Sequence, residues 1–247
     1  PSGTIGRPAL GGARPQIGTT VTLGTNSNVR GLNIVGAAST GIAASGKSGL
    51  VVSEVSVATT TGTAASFSGS GGTLTFTSIS ANGGANGILL SGVTGSFDVT
   101  GTGTTDGSGG TIQNTTTRGA SFINATNVTL KNMNFTNAAT ADFPAGPTGL
   151  SLGVNTGDNA AIHLQSVTGA TLDNLNIAGS AEQGINGHNV SGFVLKDSVL
   201  SGLGNGPDED GIHFYNMVGT SSITNTLISG SGDDNINIQN NNNLPAD

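Results

Sequence analysis

Two stretches of this sequence carry residues whose types and spacing could do chemistry. The first, GIAASGKS at 41–48, fits the phosphate-loop pattern G-x-x-x-x-G-K-[ST], which binds phosphate between a strand and a helix N-terminus. The residues that follow, GLVVSEVSVATTTG, are rich in Val, Thr, Ser and Gly, a composition that favours strands over helices. We therefore expect no nucleotide site and interpret residues 46–49 as a turn between two strands.

The second stretch is acidic and lies near the C-terminal end of the sequence. No Lys or Arg follows Lys196. Five carboxylates fall near His213 and Asn237: Asp208, Glu209, Asp210, Asp233 and Asp234. Close carboxylates without a basic partner repel one another and attract a hard cation such as Ca²⁺. Three interpretations stay open at this point: solvated turn residues, a Ca²⁺ site formed by these five residues, or a catalytic group.

Composition excludes several classes of function. A formal net charge of −7 opposes binding to nucleic acid or to an anionic membrane. There is no Cys, so the chain has neither disulfides nor a thiolate metal site. The sequence has no run of 18 apolar residues, so it predicts no membrane-spanning helix. The sequence opens without Met or a signal peptide, and we expect it to be part of a longer exported polypeptide.

A short unit recurs along the chain and accounts for Gly41. Its copies are TGIAAS from Thr40, TGTAAS from Thr61, NGILLS from Asn86, RGASFI from Arg118, AAIHLQ from Ala160, QGINGH from Gln183, DGIHFY from Asp210 and DNINIQ from Asp234. A second unit, [LIV]-x-[ND]-x-x-[IFLV], follows it, as in LKNMNF from Leu130 and LDNLNI from Leu172. Short strands at this period cannot bury a face alone and must stack on their neighbours.

The sequence therefore predicts an all-β solenoid of roughly eight or more coils. We expect a lead-in over residues 1–24, a single solenoid domain over 25–247, and insert loops at 99–110 and 137–158 that either bind a ligand or are simply tolerated. The [ND] positions are expected to be structural corners that tolerate positive φ and bond along the stack. They are Asn132, Asn174, Asp197 and Asn225.

Aligning the units gives columns of side chains along the rod. One column is expected to point inward: Ile42, Ile88, Ile162, Ile185, Ile212 and Ile236. The next residue in each unit should point outward: Ala43, Leu89, Ser121, His163, Asn186, His213 and Asn237. Polar groups thus collect on one outer surface of the C-terminal coils.

Repeats with G-I at one strand and an Asn corner at the next resemble the right-handed parallel β-helix of the pectin-lyase-like superfamily. The resemblance implies a fold rather than one function, since the superfamily includes polygalacturonases, pectate lyases and the passenger domains of bacterial surface proteins. DGIHF followed by DDNINI resembles the polygalacturonase pattern, and the resemblance assigns Asp210, Asp233 and Asp234 as catalytic acid and base. The Asn-Thr of that pattern is replaced by Asp208 and Glu209, and its later G-H-G and R-I-K segments have no counterpart.

Our leading hypothesis is a non-enzymatic extracellular rod, a passenger-like or adhesin-like part of a bacterial surface protein that binds a glycan or another cell-surface ligand. The alternative is a truncated or divergent polysaccharide-processing β-helix. Ice binding is a third hypothesis, although regular T-x-T columns are missing. An uncapped solenoid exposes strand edges, so end-to-end association into filaments is also expected.

Overall fold

The computed structural model describes residues 13–141 and 159–240. Within these ranges the chain forms strands and turns only, and no helix long and apolar enough to cross a membrane is present. All pairings between the strands are parallel. The strands belong to three long sheets, here called A, B and C, which the chain visits in turn.

Within each sheet, the strands lie next to one another in the order in which they occur along the chain. Sheet A contains β2 (Val21–Thr22), β5 (Ile42–Ser45), β7 (Ala65–Ser68), β9 (Asn86–Ser91), β12 (Arg118–Ile123), β15 (Ala160–Gln165), the first half of β18 (Gln183–Lys196), β20 (Ile212–Val218) and β23 (Ile236–Gln239). Sheet B contains β3 (Asn28–Arg30), the first halves of β6 (Leu50–Thr59) and β8 (Gly71–Asn82), β10 (Thr94–Val99), β13 (Thr126–Lys131), β16 (Thr168–Asp173), the second half of β18 and β21 (Ser222–Thr224). Sheet C contains β1 (Gln16–Ile17), β4 (Asn33–Ala37), the second halves of β6 and β8, β11 (Gly110–Gln113), β14 (Met133–Thr136), β17 (Asn176–Ala178), β19 (Val199–Leu203) and β22 (Leu227–Ser231).

This arrangement is a parallel β-helix, and it confirms the fold predicted from the repeats. Eight complete coils run from β2 to β22 in the described part of the chain, and β1 and β23 extend the stack at its two ends. Successive strands of a sheet lie about 4.8 Å apart. Pairing begins with β1 and β2, so the stack includes part of the segment that was expected to be a lead-in before residue 25.

The core is a narrow column of apolar side chains between the three sheets. The predicted inward column is in register, and its first five members are fully buried. Ile236 is in register with Ile212 but remains 45% exposed, because no further coil covers it among the described residues. Phenylalanines stack beside this column: the ring of Phe97 lies 5.4 Å from that of Phe76 and 6.2 Å from that of Phe122.

The recurring Asn and Asp residues form corners, as predicted. Asn132, Asn174, Asp197 and Asn225 all have positive φ, between 46° and 56°. The Asn174 Nδ2 donates to Asn132 Oδ1 at 2.8 Å, and the Asn225 Nδ2 donates to Asp197 Oδ1 at 2.6 Å. The side chains therefore bond from one coil to the next along the stack.

The sequence GIAASGKS lies between two strands, as expected. Ile42–Ser45 is β5 and Leu50 begins β6, so residues 46–49 form a turn and no helix follows. At Gly49, φ is +65° and a Cβ would meet Asn26 Oδ1 at 2.2 Å. This glycine is required by the turn between sheets A and B, and the geometry of a phosphate loop is not present.

The first insert packs along the rod. Between β10 and β11, residues 100–109 fold over the corners of the next two coils, where the Asn132 Nδ2 donates to the Gly103 carbonyl at 3.1 Å and the Asn174 Nδ2 to Asp106 Oδ1 at 2.9 Å. The loop therefore lies at the corner between sheets B and C, not beside sheet A.

The second insert, 137–158, connects sheet C to sheet A between β14 and β15. Most of it lies outside the described residues. Asn159 directly follows the insert, and its Nδ2 donates to the carbonyl of Ala141, inside the insert, at 2.7 Å.

Candidate functional site

The outer face of sheet A changes character along the rod. Its first outward column is in the predicted register and reads Ala43, Ser66, Leu89, Ser121, His163, Asn186, His213 and Asn237. A second outward column, two residues further along each strand, includes Gln165, His188, Tyr215 and Gln239. We call Ser121 of β12 and the outward residues of β15, β18, β20 and β23 in these two columns the polar face.

The polar face gathers side chains that are scarce elsewhere in the protein. The chain has three His and one Tyr, and all four are outward residues of β15, β18 and β20. The rings of His188 and Tyr215 are stacked on adjacent coils. The outward residues predicted from the sequence did not include His188, Tyr215, Gln165 or Gln239. Alternation along the strand could have identified them as outward residues, since each stands two residues after a member of the first outward column.

Several outward residues are more buried than an outer surface suggests. Ser121, His163 and Asn186 fall in the predicted outward column, yet they are at most 4% exposed. Side chains on adjacent strands stand about 4.8 Å apart and cover one another. The Arg118 guanidinium also lies over this surface and donates to Ser121 Oγ at 3.3 Å.

His163 is the most buried of the three histidines. It has no exposed surface, and neither ring nitrogen makes a hydrogen bond of normal geometry. Burial lowers its pKa to about 3, and the positive charge of Arg118 and the nearby His188 act in the same direction. The neighbouring Gln165 side chain opposes this shift in pKa but does not offset it. At neutral pH the imidazole of His163 is therefore uncharged.

Buried side-chain atoms that lack a hydrogen bond are concentrated at this face. Among residues 13–141 and 159–240, all of these atoms lie on outward residues of sheet A or at the corner that leads into it. Their residues belong to β15, β18, β20 and β23, except for Asp210, which precedes β20. They include both nitrogens of His163 and the side-chain oxygens of Gln183 and Gln239. Native proteins satisfy most buried polar groups, and exceptions mark positions where water, an ion or a ligand supplies the missing partner.

Carboxylates converge at the C-terminal end of the polar face. One oxygen from each of Asp210, Asp233 and Asp234 lies within 4.8 Å of the other two. Asp210 is only 1% exposed, whereas Asp233 and Asp234 are exposed. The Asp234 N–H donates to Asp210 Oδ1 at 3.0 Å. On the other side, Asp210 Oδ2 lies 3.0 Å from His213 Nδ1, close enough for an ion pair but not aligned as a hydrogen bond.

The other two acidic residues of the expected site have different surroundings. The Glu209 carboxylate accepts hydrogen bonds from the backbone N–H groups of Asn205 and Gly206 and so closes its own loop. Asp208 is exposed with φ +71°, and its carbonyl accepts a bond from Gln183 Nε2 at 3.4 Å. The structure thus brings together Asp210, Asp233 and Asp234, and leaves the carboxylates of Asp208 and Glu209 outside that group.

Comparisons with known proteins add no identification: no protein-family model, no curated protein and no solved structure matches this chain. What the site can do chemically follows from its own residues. The polar face offers neutral hydrogen-bonding groups along several coils, and the group at its end offers closely spaced carboxylates.

Proposed function

We propose that this chain is a non-enzymatic β-helix rod of an exported surface protein, and that its polar face binds a polysaccharide. The column of partly exposed polar side chains on adjacent coils, Gln165, His188, Tyr215 and Gln239, carries the proposal. A ligand rich in hydroxyl groups both donates and accepts hydrogen bonds, so it can satisfy imidazole nitrogens and amide oxygens alike. The resemblance of the repeats to the pectin-lyase-like superfamily is consistent with a glycan ligand.

The geometry favours an extended glycan over other polymers. The strands of sheet A below the polar face are paired on both sides from β5 to β20, so a peptide cannot bind there by adding a strand. The described residues of sheet A from β12 to β23 include a single Lys or Arg, which is Arg118; β18 is counted here as far as His188. A surface with one such cation, on a chain of net charge −7, lacks the cations that phosphate backbones require.

Binding is tested by affinity electrophoresis of the whole chain in gels that contain polygalacturonate, alginate or galactomannan. We expect at least one of them to retard the wild type. His188→Ala should weaken the retardation, because it removes a partly exposed ring from the middle of the face. Thr129→Ala, on the outer side of sheet B, is the matched control and should not. A wild type that no polysaccharide retards would contradict the proposal.

A second candidate function, glycan hydrolysis, is favoured by the convergence of Asp210, Asp233 and Asp234 at the end of the same face. Inverting glycosidases hold their two carboxyl groups about 6.5–9.5 Å apart to admit a water molecule, whereas these oxygens lie within 4.8 Å. Asp210 is also buried between the Asp234 N–H and His213. We therefore place binding first. Release of reducing ends by the wild type, and not by Asp233→Asn, would reverse that order.

A further inference from the structure

The corner that leads into β20 and β23 holds more negative charge than its surroundings balance. Asp210, Asp233 and Asp234 meet there within 4.8 Å, and no Lys or Arg follows Lys196 in the sequence. His213, at 3.0 Å from Asp210 Oδ2, is the basic side chain in contact with this group. Like charges at such distances repel unless a cation lies between them.

An independent observation at the same corner concerns Gln183. This residue is 4% exposed, and it occupies the corner position one coil before Asp210, since Ile185 pairs with Ile212. Its Nε2 donates to the Asp208 carbonyl at 3.4 Å. That bond fixes which end of the amide is the nitrogen. The amide oxygen, Oε1, is buried and has no donor.

The corner therefore combines a buried amide oxygen without a donor and three convergent carboxylates. A missing hydrogen-bond donor could be replaced by water, but water does not offset the charge of the carboxylates. A divalent cation supplies both, since it takes carboxylate and amide oxygens together.

We propose that Asp210, Asp233, Asp234 and Gln183 form a binding site for Ca²⁺. All four donors are hard oxygen ligands. They come from three successive coils, and two of them, Asp233 and Asp234, are exposed. This irregular arrangement suits the flexible coordination of Ca²⁺ better than the strict octahedron of Mg²⁺. Waters complete the coordination. The ion would tie the corner before β23 to the two coils below it, and the site does not depend on glycan binding.

The test is calorimetric titration of the chelator-treated whole chain with CaCl₂ and, separately, MgCl₂, at near-physiological ionic strength. We expect a single Ca²⁺ site with a dissociation constant of about 10⁻⁴ M, the order found for extracellular modules, and weaker Mg²⁺ binding. No heat of Ca²⁺ binding by the wild type would overturn the proposal.

Three variants locate the site. The double variant Asp233→Asn, Asp234→Asn changes exposed residues and should fold; it should weaken Ca²⁺ binding by about tenfold or more, because affinity follows the number of charged ligands. Gln183→Met removes the amide oxygen with little change in shape and should also weaken binding. Asp208→Asn, in the same segment but outside the group, is the matched control.

Each outcome of these titrations decides one part of the assignment. Equal weakening in Asp208→Asn and in the double variant would mean diffuse attraction of counterions and would overturn the site. Unchanged affinity in Gln183→Met would remove Gln183 and overturn the four-ligand assignment. Circular dichroism melting of each variant without Ca²⁺ shows whether a loss of binding reflects a loss of folding.

Discussion

The rings of His188 and Tyr215 lie parallel on adjacent strands of sheet A, with their centroids 5.5 Å apart and 12° between their planes. This stack stands in the middle of the polar face, between Gln165 on one side and Gln239 on the other. Stacked rings hold each other upright, so the pair presents a fixed edge to solvent. A fixed surface binds an extended ligand at a lower cost in side-chain entropy than flexible side chains do.

The first prediction concerns this stack. Tyr215→Ala should reduce the free energy of unfolding by about 1 kcal/mol, since aromatic pairs contribute about 0.5–1.5 kcal/mol beyond their area burial. Tyr215→Phe keeps the ring and should change stability little. Urea unfolding of the wild type, His188→Ala, Tyr215→Ala and the double variant gives the coupling energy. A coupling energy near zero would show that the two rings touch without stabilising each other.

The second prediction is a loss of stability in acid that arises from His163. Its pKa is about 3 in the folded chain and 6.5 in the unfolded chain, so the unfolded chain takes up the proton first as the pH falls. This contribution to stability is complete above pH 6.5 and is lost progressively between pH 6.5 and pH 3. At pH 5 the loss is about 2 kcal/mol.

The matched variant for His163 is His163→Asn, which places at this position the residue found one coil later, Asn186. Between pH 7.5 and pH 5, its free energy of unfolding, measured in urea, should fall by about 2 kcal/mol less than that of the wild type. If wild type and variant lose stability equally over this interval, the histidine is not buried as described.

The period of the repeat made the register of sheet A predictable, while the burial of particular side chains was not. Ile162, His163 and the residues paired with them fall in their expected columns because alternation along a strand fixes which side chains face the core. The burial of His163 depends on side chains from neighbouring strands, which alternation along one strand does not specify. Likewise, Glu209 could not be separated from Asp210 by sequence spacing, since its bonds to Asn205 and Gly206 exist only once the loop has closed.

The third prediction tests the docking of the first insert on the corner of Asn174. Asn174→Ala removes its bonds to Asn132 and to Asp106, and it replaces a residue that tolerates positive φ. Limited proteolysis should then cut faster within residues 100–109. Asn225→Ala removes a corner of the same kind without contact to the insert and is the control. Equal cleavage rates in both variants would mean that Asn174 does not hold the loop.

The fourth prediction concerns the stacked phenylalanines of the core. Phe97 contacts the rings of Phe67, Phe76 and Phe122, and it is fully buried. Phe97→Ala should lower the free energy of unfolding by about 3–5 kcal/mol, because the removed ring leaves a cavity that close-packed coils cannot fill. Phe97→Leu should cost less. Thermal unfolding of both variants measures the difference, and equal losses would argue against a cavity as the cause.

The last prediction concerns the final coil of the described chain. Ile236 and Ile238 continue the core columns of Ile212 and Phe214, yet they are 45% and 40% exposed. Apolar side chains beside an open strand edge favour association with another strand, so the 247-residue chain should self-associate through this end. Sedimentation velocity should show a shift to monomer in Ile238→Lys. Leu227→Lys is the control, since Leu227 is 60% exposed but lies on the outer side of sheet C. If both lysines dissociate the protein equally, charge alone is responsible; if neither does, association does not use this end.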